Sequence, residues 1–361
     1  MLVSGRERLR RAMGGFKNRL DPAAVILLYH RISQADTDPW SLCVTPQHFA
    51  EHLQVLRDAY LPIRLGQLTH ADGTYQDLSK SVVITFDDGY ADNLYQAKPL
   101  LEHYDIPATV FVVSGSVGTE REFWWDELQR LILEPELLPD SLSLLIGSRR
   151  FNWRSNPSKP FSSLLRRKFS RIRPSIVVDE PRGNSAGSGV GPVNHNPVRE
   201  FLYRELWKRC SDLQGVERRH VLDELLAWSA SAPVSHPMHR PVSAEELVVL
   251  GKGELIEIGS HTVTHSFLSR LPAVLQEDEL RKSRSCLEEI IGSGVSSLSY
   301  PHGAYSRETA ALAAKAGYTC ACSTHAQPVR AHTEPFELPR MTVQDWDGDE
   351  FARRLSGWLG S

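Results

Sequence analysis

The sequence is poor in cysteine and offers no obvious way to pair what it has. Cys43, Cys210, Cys286, Cys320 and Cys322 are scattered over 361 residues. An odd, dispersed set is poor material for a disulfide framework. The Cys320-x-Cys322 pair is too tightly spaced for a zinc knuckle and lacks a second pair. These residues read as buried free thiols of a reducing compartment. Long apolar runs are also missing. The run Ala23–Tyr29 is far too short to cross a bilayer and reads as a buried strand. The opening stretch carries Arg6, Arg8, Arg10, Arg11, Lys17 and Arg19, with no apolar segment of signal-peptide length before Asp21-Pro22. A cytoplasmic location is the expectation that follows. The basic leader, residues 1–21, is expected to be a solvated helix, with peripheral contact to anionic lipid as the alternative. Net charge is only -3, so no global field recruits nucleic acid or membrane. No basic stripe interleaved with aromatics is present, which argues against nucleic-acid binding. No internal repeat and no defined protein partner are legible.

What is present is an ordinary globular composition, 41% apolar and 24% charged. A chain of this size can bury a full core without disulfides or a structural metal. Short apolar runs at Ala24–Tyr29, Val82–Phe86, Ala108–Val113, Leu255–Ile258, Ser297–Tyr300 and Thr319–Ser323 suit strands of a parallel sheet buried on both faces. Helical patterns fall at Pro46–Tyr60, Asn93–Tyr104, Ala273–Ile291 and Ser306–Ala316. Thr45-Pro46 resembles an N-cap followed by proline at the first helical position, and Gly292 and Gly317 stand where glycine C-caps are expected. Alternating strand and helix predicts an α/β fold. About seven such units favour a distorted (β/α) barrel over residues 22–361. Residues 120–240 break the rhythm and read as a helical insertion, a lid or docking surface. Within it, 174–197 is rich in Gly, Ser and Pro and reads as a loop. Trp124, Trp125 and Trp207 either stack on sugar rings or form the insertion's core.

Chemistry concentrates at two strand exits. Thr85-Phe86-Asp87-Asp88-Gly89-Tyr90 follows the Val82–Ile84 run. Adjacent carboxylates at the end of a buried strand are costly unless a cation compensates them. Strand C-terminal ends are where α/β barrels build their sites. The competing reading is a surface Asp-Gly turn. Gly259-Ser260-His261-Thr262-Val263-Thr264-His265 follows the second such strand. Two histidines at i and i+4 share a face if the segment is helical. With a carboxylate from another strand they make a His-His-carboxylate set that leaves coordination positions open, the mark of a catalytic metal site.

Together with Ser299-Tyr300-Pro301-His302-Gly303, these segments resemble the successive motifs of the polysaccharide deacetylase family, carbohydrate esterase family 4, with its nodulation-protein-B-type homology domain. Leu28-Tyr29-His30-Arg31 and Leu338-Pro339-Arg340 resemble the poly-N-acetylglucosamine deacetylase branch. The resemblance covers about residues 22–120 and 240–350. It implies a distorted barrel of about seven strands and metal-dependent removal of an N-acetyl group from an amino sugar. It implies Asp87 as general base and Asp88, His261 and His265 as metal ligands. The metal it implies is one divalent cation, zinc by default, with cobalt, nickel and manganese fitting similar ligands. Substrate contact is implied at Tyr90, Tyr300, Pro301, His302 and Gly303. The partner is then an N-acetylated glycan or glycan precursor. An enzyme without an export signal would meet nucleotide-linked, lipid-linked or short glycans.

The chain departs from the family in places. The late segment Pro335–Asp347 has no histidine to serve as general acid. His30 matches the acid of the poly-N-acetylglucosamine branch, with His302, His325 and His332 as alternatives. Ser299 stands where many relatives carry the arginine that orients the base. Arg340 is the candidate replacement, the alternative being an ion pair with acids between Asp345 and Glu350. His302 replaces a usual tyrosine. Two other functions stay open: hydrolysis of a non-sugar amide such as a formamide, and a catalytically silent carbohydrate-binding module.

Overall fold

A computed structural model describes residues 23–68, 80–155, 197–231 and 238–359. The basic leader and nearly all of the 174–197 segment lie outside them. The chain divides into two compact units, residues 1–119 with 241–361, and residues 120–240.

The first unit is an α/β barrel. Its staves are β1 (Ala23–Tyr29), β2 (Ser81–Phe86), β3 (Ala108–Val112), β4 (Ile256–Ser260), β5 (Ser297–Ser299), β6 (Cys320–Cys322) and β7 (Met341–Thr342). Each pairs in parallel with the next from β1 to β6, with Tyr29 opposite Phe86 and Phe86 opposite Val110. The stretch from Leu338 to Thr342, which ends in β7, joins the two ends of this ladder. Leu338 bridges Cys322 of β6, while Met341 and Thr342 pair with Leu27 and Leu28 of β1. The expected α/β barrel of about seven strands is therefore the fold.

Near-continuous apolar strands bury both faces, as parallel staves require. One face of β1, β2, β3 and β6 fills the barrel with Ala24, Ile26, Val83, Phe111, Cys320 and Cys322, joined by Leu338. The other face, including Val25, Leu27, Ile84, Val110, Ile258 and Leu298, packs beneath the helices. A Cβ at Gly259 would stand 2.4 Å from the Phe111 ring, so only glycine there lets that ring occupy the interior. The helices include α1 (Pro46–Ala59), α2 (Lys98–Tyr104), α3 (Ala244–Leu250), α4 (Ala273–Ile291), α5 (Arg307–Lys315) and α6 (Gly348–Leu359). Thr45 caps α1 by accepting from the His48 N–H, and Gly292 closes α4 in the left-handed region. The helix expected over Asn93–Tyr104 instead opens with a π-turn, Asn93–Ala97. Pro99 has no N–H for the Tyr95 carbonyl, and the ladder widens just before it.

The second unit holds helices Trp124–Leu133, Pro197–Ser211 and Gly215–Ser229, and a hairpin of Ser141–Ile146 with Arg149–Arg154. Trp125 is core, stacked on Phe123 at 4.6 Å. Trp124 lies between Trp207 and the Arg218 guanidinium. All five cysteines are free, and three of them are buried. Among the described residues no helix is long and apolar enough to cross a membrane.

His52 of α1 ties this helix to the barrel. Its Nε2–H donates to the Trp346 carbonyl at 2.7 Å, its Nδ1 faces the Tyr29 hydroxyl at 3.2 Å, and its ring stacks on Phe351. Burial lowers its pKa to about 4, although the Trp346 contact pulls the other way. A histidine free in the unfolded chain titrates near ~6.5, so between about pH 6.5 and 4 the unfolded state binds more protons. The stability contributed by neutral His52 is complete above that window and is lost as pH falls through it. The urea midpoint is expected to drop between pH 7 and 4.5, and His52→Gln to make the drop shallower. An equally steep drop in the variant would remove His52 from this role.

Candidate active site

The site forms at the C-terminal ends of the staves. β2 runs straight into Asp87, whose N–H donates to the Tyr29 carbonyl at the end of β1. The next two residues both enter the left-handed region, Asp88 at φ 76° and Gly89 at φ 79°. Gly89 needs no Cβ there, whereas Asp88 is held at a cost of about 1–3 kcal/mol. This turn lets neighbouring carboxylates face one cavity although a regular strand would part them.

Asp87 and Arg340 make a fork-to-fork pair, with Nη1 to Oδ1 at 2.8 Å and Nη2 to Oδ2 at 2.7 Å. Arg340 points inward because it lies two residues beyond the interior-facing Leu338. Its remaining donors reach the Ser323 carbonyl, the Thr85 hydroxyl and the Ser299 hydroxyl at 2.9, 3.1 and 2.8 Å. All five guanidinium N–H groups are thus used, which is what lets a fully buried cation persist. Ser299 also donates to Asp87 Oδ2 at 3.2 Å. Burial alone would raise the Asp87 pKa, but the Arg340 charge, then His261, outweigh it and hold the carboxyl well below its usual range. Arg340 makes this pair rather than one with the acids at 345–350, and Asp345 instead receives Thr45 and His48.

Asp88, His261 and His265 converge beside that pair, with one ligand atom of each within 4.8 Å of the others. His265 Nε2 lies 3.4 Å and His261 Nε2 3.6 Å from Asp88 Oδ1. Two donors each ~2.1 Å from a tetrahedral ion lie about 3.4 Å apart, so these spacings fit one divalent cation. The donor chemistry agrees. His261 Nδ1 lies 2.8 Å from the Ser299 carbonyl, which can only accept, so Nδ1 carries the proton and Nε2 presents its lone pair. Burial lowers the His261 pKa against the pull of Asp87, favouring the neutral ring a metal requires. The three side chains form a site able to hold a divalent metal and leave positions open for water and substrate.

The two histidines do not share a helix face, contrary to the conditional reading of their spacing. Residues 261–267 form a loop, with Thr262 at φ 65° and His265 at φ 56°. The exit of β3 grips it, since Ser114 and Gly115 donate their N–H groups to the Thr262 and Val263 carbonyls, each at 3.0 Å. A Cβ on Gly115 would meet the Val263 oxygen at 2.5 Å, so glycine is required there.

His30 leaves β1 half-buried, close enough to Asp87, Arg340 and His261 to feel their charges. Burial is the largest influence and lowers its pKa to about 4, leaving the ring neutral at pH 7. Its backbone is fixed by residues that no motif suggested. Asn93 donates to the His30 carbonyl at 2.9 Å, and buried Asp92 receives Arg31 Nε and the Ile32 N–H at 3.1 and 3.2 Å. His302 occupies the left-handed region at φ 58°, its ring stacked on Phe267 at 3.9 Å and edge-on to His265 at 4.5 Å. His325 and His332 are exposed.

Tyr90 and Tyr300, expected at the substrate, both carry buried rings. The Tyr90 ring is fully buried beneath the Arg31 guanidinium. Tyr300 is also fully buried, stacked on Tyr305, and its hydroxyl donates to the Phe336 carbonyl at 3.1 Å. Pro301 is buried, and Gly303 sits at φ 64° against Thr324, so these two shape the turn that presents His302.

Fold and site together define an α/β barrel with an Asp-His-His cation cradle beside a buried carboxylate–arginine pair. Residues 75–136 and 241–321 match the family model described as Polysaccharide deacetylase, so the chain carries a polysaccharide deacetylase domain. The Bacillus subtilis protein YxkH, named for the same family, is 32% identical over 110 residues. That match covers 29% of this chain and spans 37% of the length of YxkH. Among solved structures, a polysaccharide deacetylase from Bacillus cereus is 15% identical with a TM-score of 0.54, over 93% of this chain and 69% of that one. IcaB from Ammonifex degensii is 16% identical with a TM-score of 0.54, over 94% and 97%. The Streptococcus pyogenes deacetylase PplD, solved with acetate, is 16% identical with a TM-score of 0.52, over 93% and 99%. These structural likenesses establish the fold.

Proposed function

We propose that this chain is a metal-dependent hydrolase that removes the N-acetyl group from an amino sugar in a glycan or glycan precursor. The observation that carries the reading is the convergence of Asp88, His261 and His265 beside Asp87, whose charge Arg340 maintains. The family-model match and the deacetylase names of the B. cereus and S. pyogenes neighbours support the acyl group and the sugar. Asp88, His261 and His265 would hold the cation, zinc by default for two imidazoles and a carboxylate. When bound, it polarises the amide carbonyl and lowers the pKa of water.

The protein's own groups move the protons. Asp87, kept ionised and out of the ligand set by its two bonds to Arg340, removes a proton from water as the oxygen attacks the carbonyl carbon. A backbone N–H at the Gly89–Tyr90 turn would face the oxyanion that develops. Collapse breaks the C–N bond, and His30 protonates the departing nitrogen, giving acetate and the free amine. Because burial keeps resting His30 neutral, the proton it delivers is the one Asp87 withdrew from water. His302 would line the sugar-binding wall, its ring fixed by Phe267.

The test is acetate and formate release from a panel of N-acetylated glucosamine oligomers, lipid-linked precursors and formamides, with zinc added. Acetate from the amino sugars is expected. Formate alone would favour the non-sugar amide reading, and no release from any substrate would favour a silent binding module.

A further inference from the structure

We infer that Glu279 is the positioning residue that sets His265 in place and thereby determines how tightly this site retains its metal. The inference rests on the metal reading of the Asp88, His261 and His265 cluster and assigns a role to a residue outside it. Glu279 reaches from the second turn of α4 to the loop that carries His265. Its Oε2 accepts the N–H groups of both Val263 and Thr264 at 2.9 Å, and its Oε1 accepts the Thr264 hydroxyl at 2.8 Å. One carboxylate therefore satisfies three donors in the two residues directly before the ligand.

The loop has bonds of its own, from the Thr262 N–H to the Ser260 hydroxyl at 3.4 Å and from the His265 N–H to the Thr262 hydroxyl at 3.2 Å, but its strained backbone calls for a further clamp. Thr262 and His265 both sit at positive φ, where β-branched threonine is especially disfavoured. β3 secures only the carbonyl side of Thr262 and Val263. The N–H side of Val263 and Thr264 belongs to Glu279, so the loop is held between a stave and a helix. The helix is itself indexed to the barrel. Ser283, one turn beyond Glu279, bonds the Ser260 hydroxyl at 2.8 Å, and Gln276, one turn before, accepts the Thr309 hydroxyl at 2.7 Å. α4 thus reaches the loop that carries His265 through Glu279, whereas the His261 ring has its own fixed partner in the Ser299 carbonyl. Glu279 bonds the loop at Val263 and Thr264, so its action is on ligand geometry.

The experiment is competition of the full-length chain with a chelator for zinc and cobalt, with the visible spectrum of the cobalt-loaded protein recorded alongside. Glu279→Ala is expected to weaken binding about 10–100-fold, the range seen when an outer-shell partner of a ligand is lost. Its cobalt bands should broaden while its melting temperature stays within a few degrees of wild type. Glu279→Gln keeps the length and an acceptor oxygen and should restore most of the affinity, a rescue that a merely structural defect would not show. If Glu279→Ala does not accumulate folded, Glu279→Asp, one methylene short of the loop, carries the same expectation at smaller size. Unchanged affinity and spectrum in the alanine or aspartate variant overturns the inference. Failure of the wild type to bind either ion would instead remove the metal reading, and this inference with it.

Discussion

Arg340→Met is expected to destabilise the barrel by about 3–5 kcal/mol at pH 7, the usual consequence of stranding one charge of a buried pair. Arg340 is fully buried and spends all five N–H groups inside the barrel, two of them on Asp87. Methionine fills much of the same volume but leaves the carboxylate with only the Ser299 hydroxyl among these donors. The pH dependence should also change sign. In the wild type Asp87 is held below its unfolded value, so its contribution is present above about pH 4 and fades as pH falls toward the folded pKa. Without Arg340, burial dominates and pushes the carboxyl above its unfolded value. Its contribution is then present at low pH and lost as pH rises through the shifted pKa. Urea unfolding at pH 7 and pH 5 should therefore show a large deficit that narrows on acidification. Adding Asp87→Asn to Arg340→Met should recover part of it. A deficit under about 1 kcal/mol at pH 7, or one that widens at pH 5, would show that the pair is not what holds this end of the barrel.

Asp87→Asn should lower turnover by about 10²–10⁴-fold, the range of a lost general base. Asparagine keeps the shape and can still accept one of the two Arg340 bonds. It cannot take a proton from water, so the loss should fall on kcat with KM little changed. Asp88→Asn makes the informative contrast. Its Oδ1 lies within 3.6 Å of both imidazole nitrogens, so losing the carboxylate charge there should appear first as weakened metal retention. Turnover of Asp87→Asn within a few fold of wild type would take Asp87 out of the base role.

These expectations trace to how unevenly the sequence speaks. The staves were readable because parallel strands buried on both faces are written as short apolar runs, as at Val82–Phe86. Asp87, Asp88, His261 and His265 stood out because polar groups directly after such runs are expensive without a purpose. Ser299 and Glu279 did not stand out. Serine in a strand and glutamate on a helix are common, and their importance comes only from what meets them across the barrel. The i, i+4 histidine spacing suggested a helix, but the grip of β3 on Thr262 and Val263 imposes a loop. Tyr90 and Tyr300 adjoin motif residues, but nothing in their sequence context shows that their rings are buried. The π-turn at Asn93–Ala97 was masked by a good helical pattern that Pro99 locally overrides.

Metal stoichiometry of the purified chain is the most direct trial of the site. One equivalent of zinc should bind to wild type and to Asp87→Asn, and Asp88→Ala and His265→Ala should retain almost none after dialysis against a mild chelator. Equal zinc content in all four proteins, or none in the wild type, would contradict the placement of the cation between these three side chains.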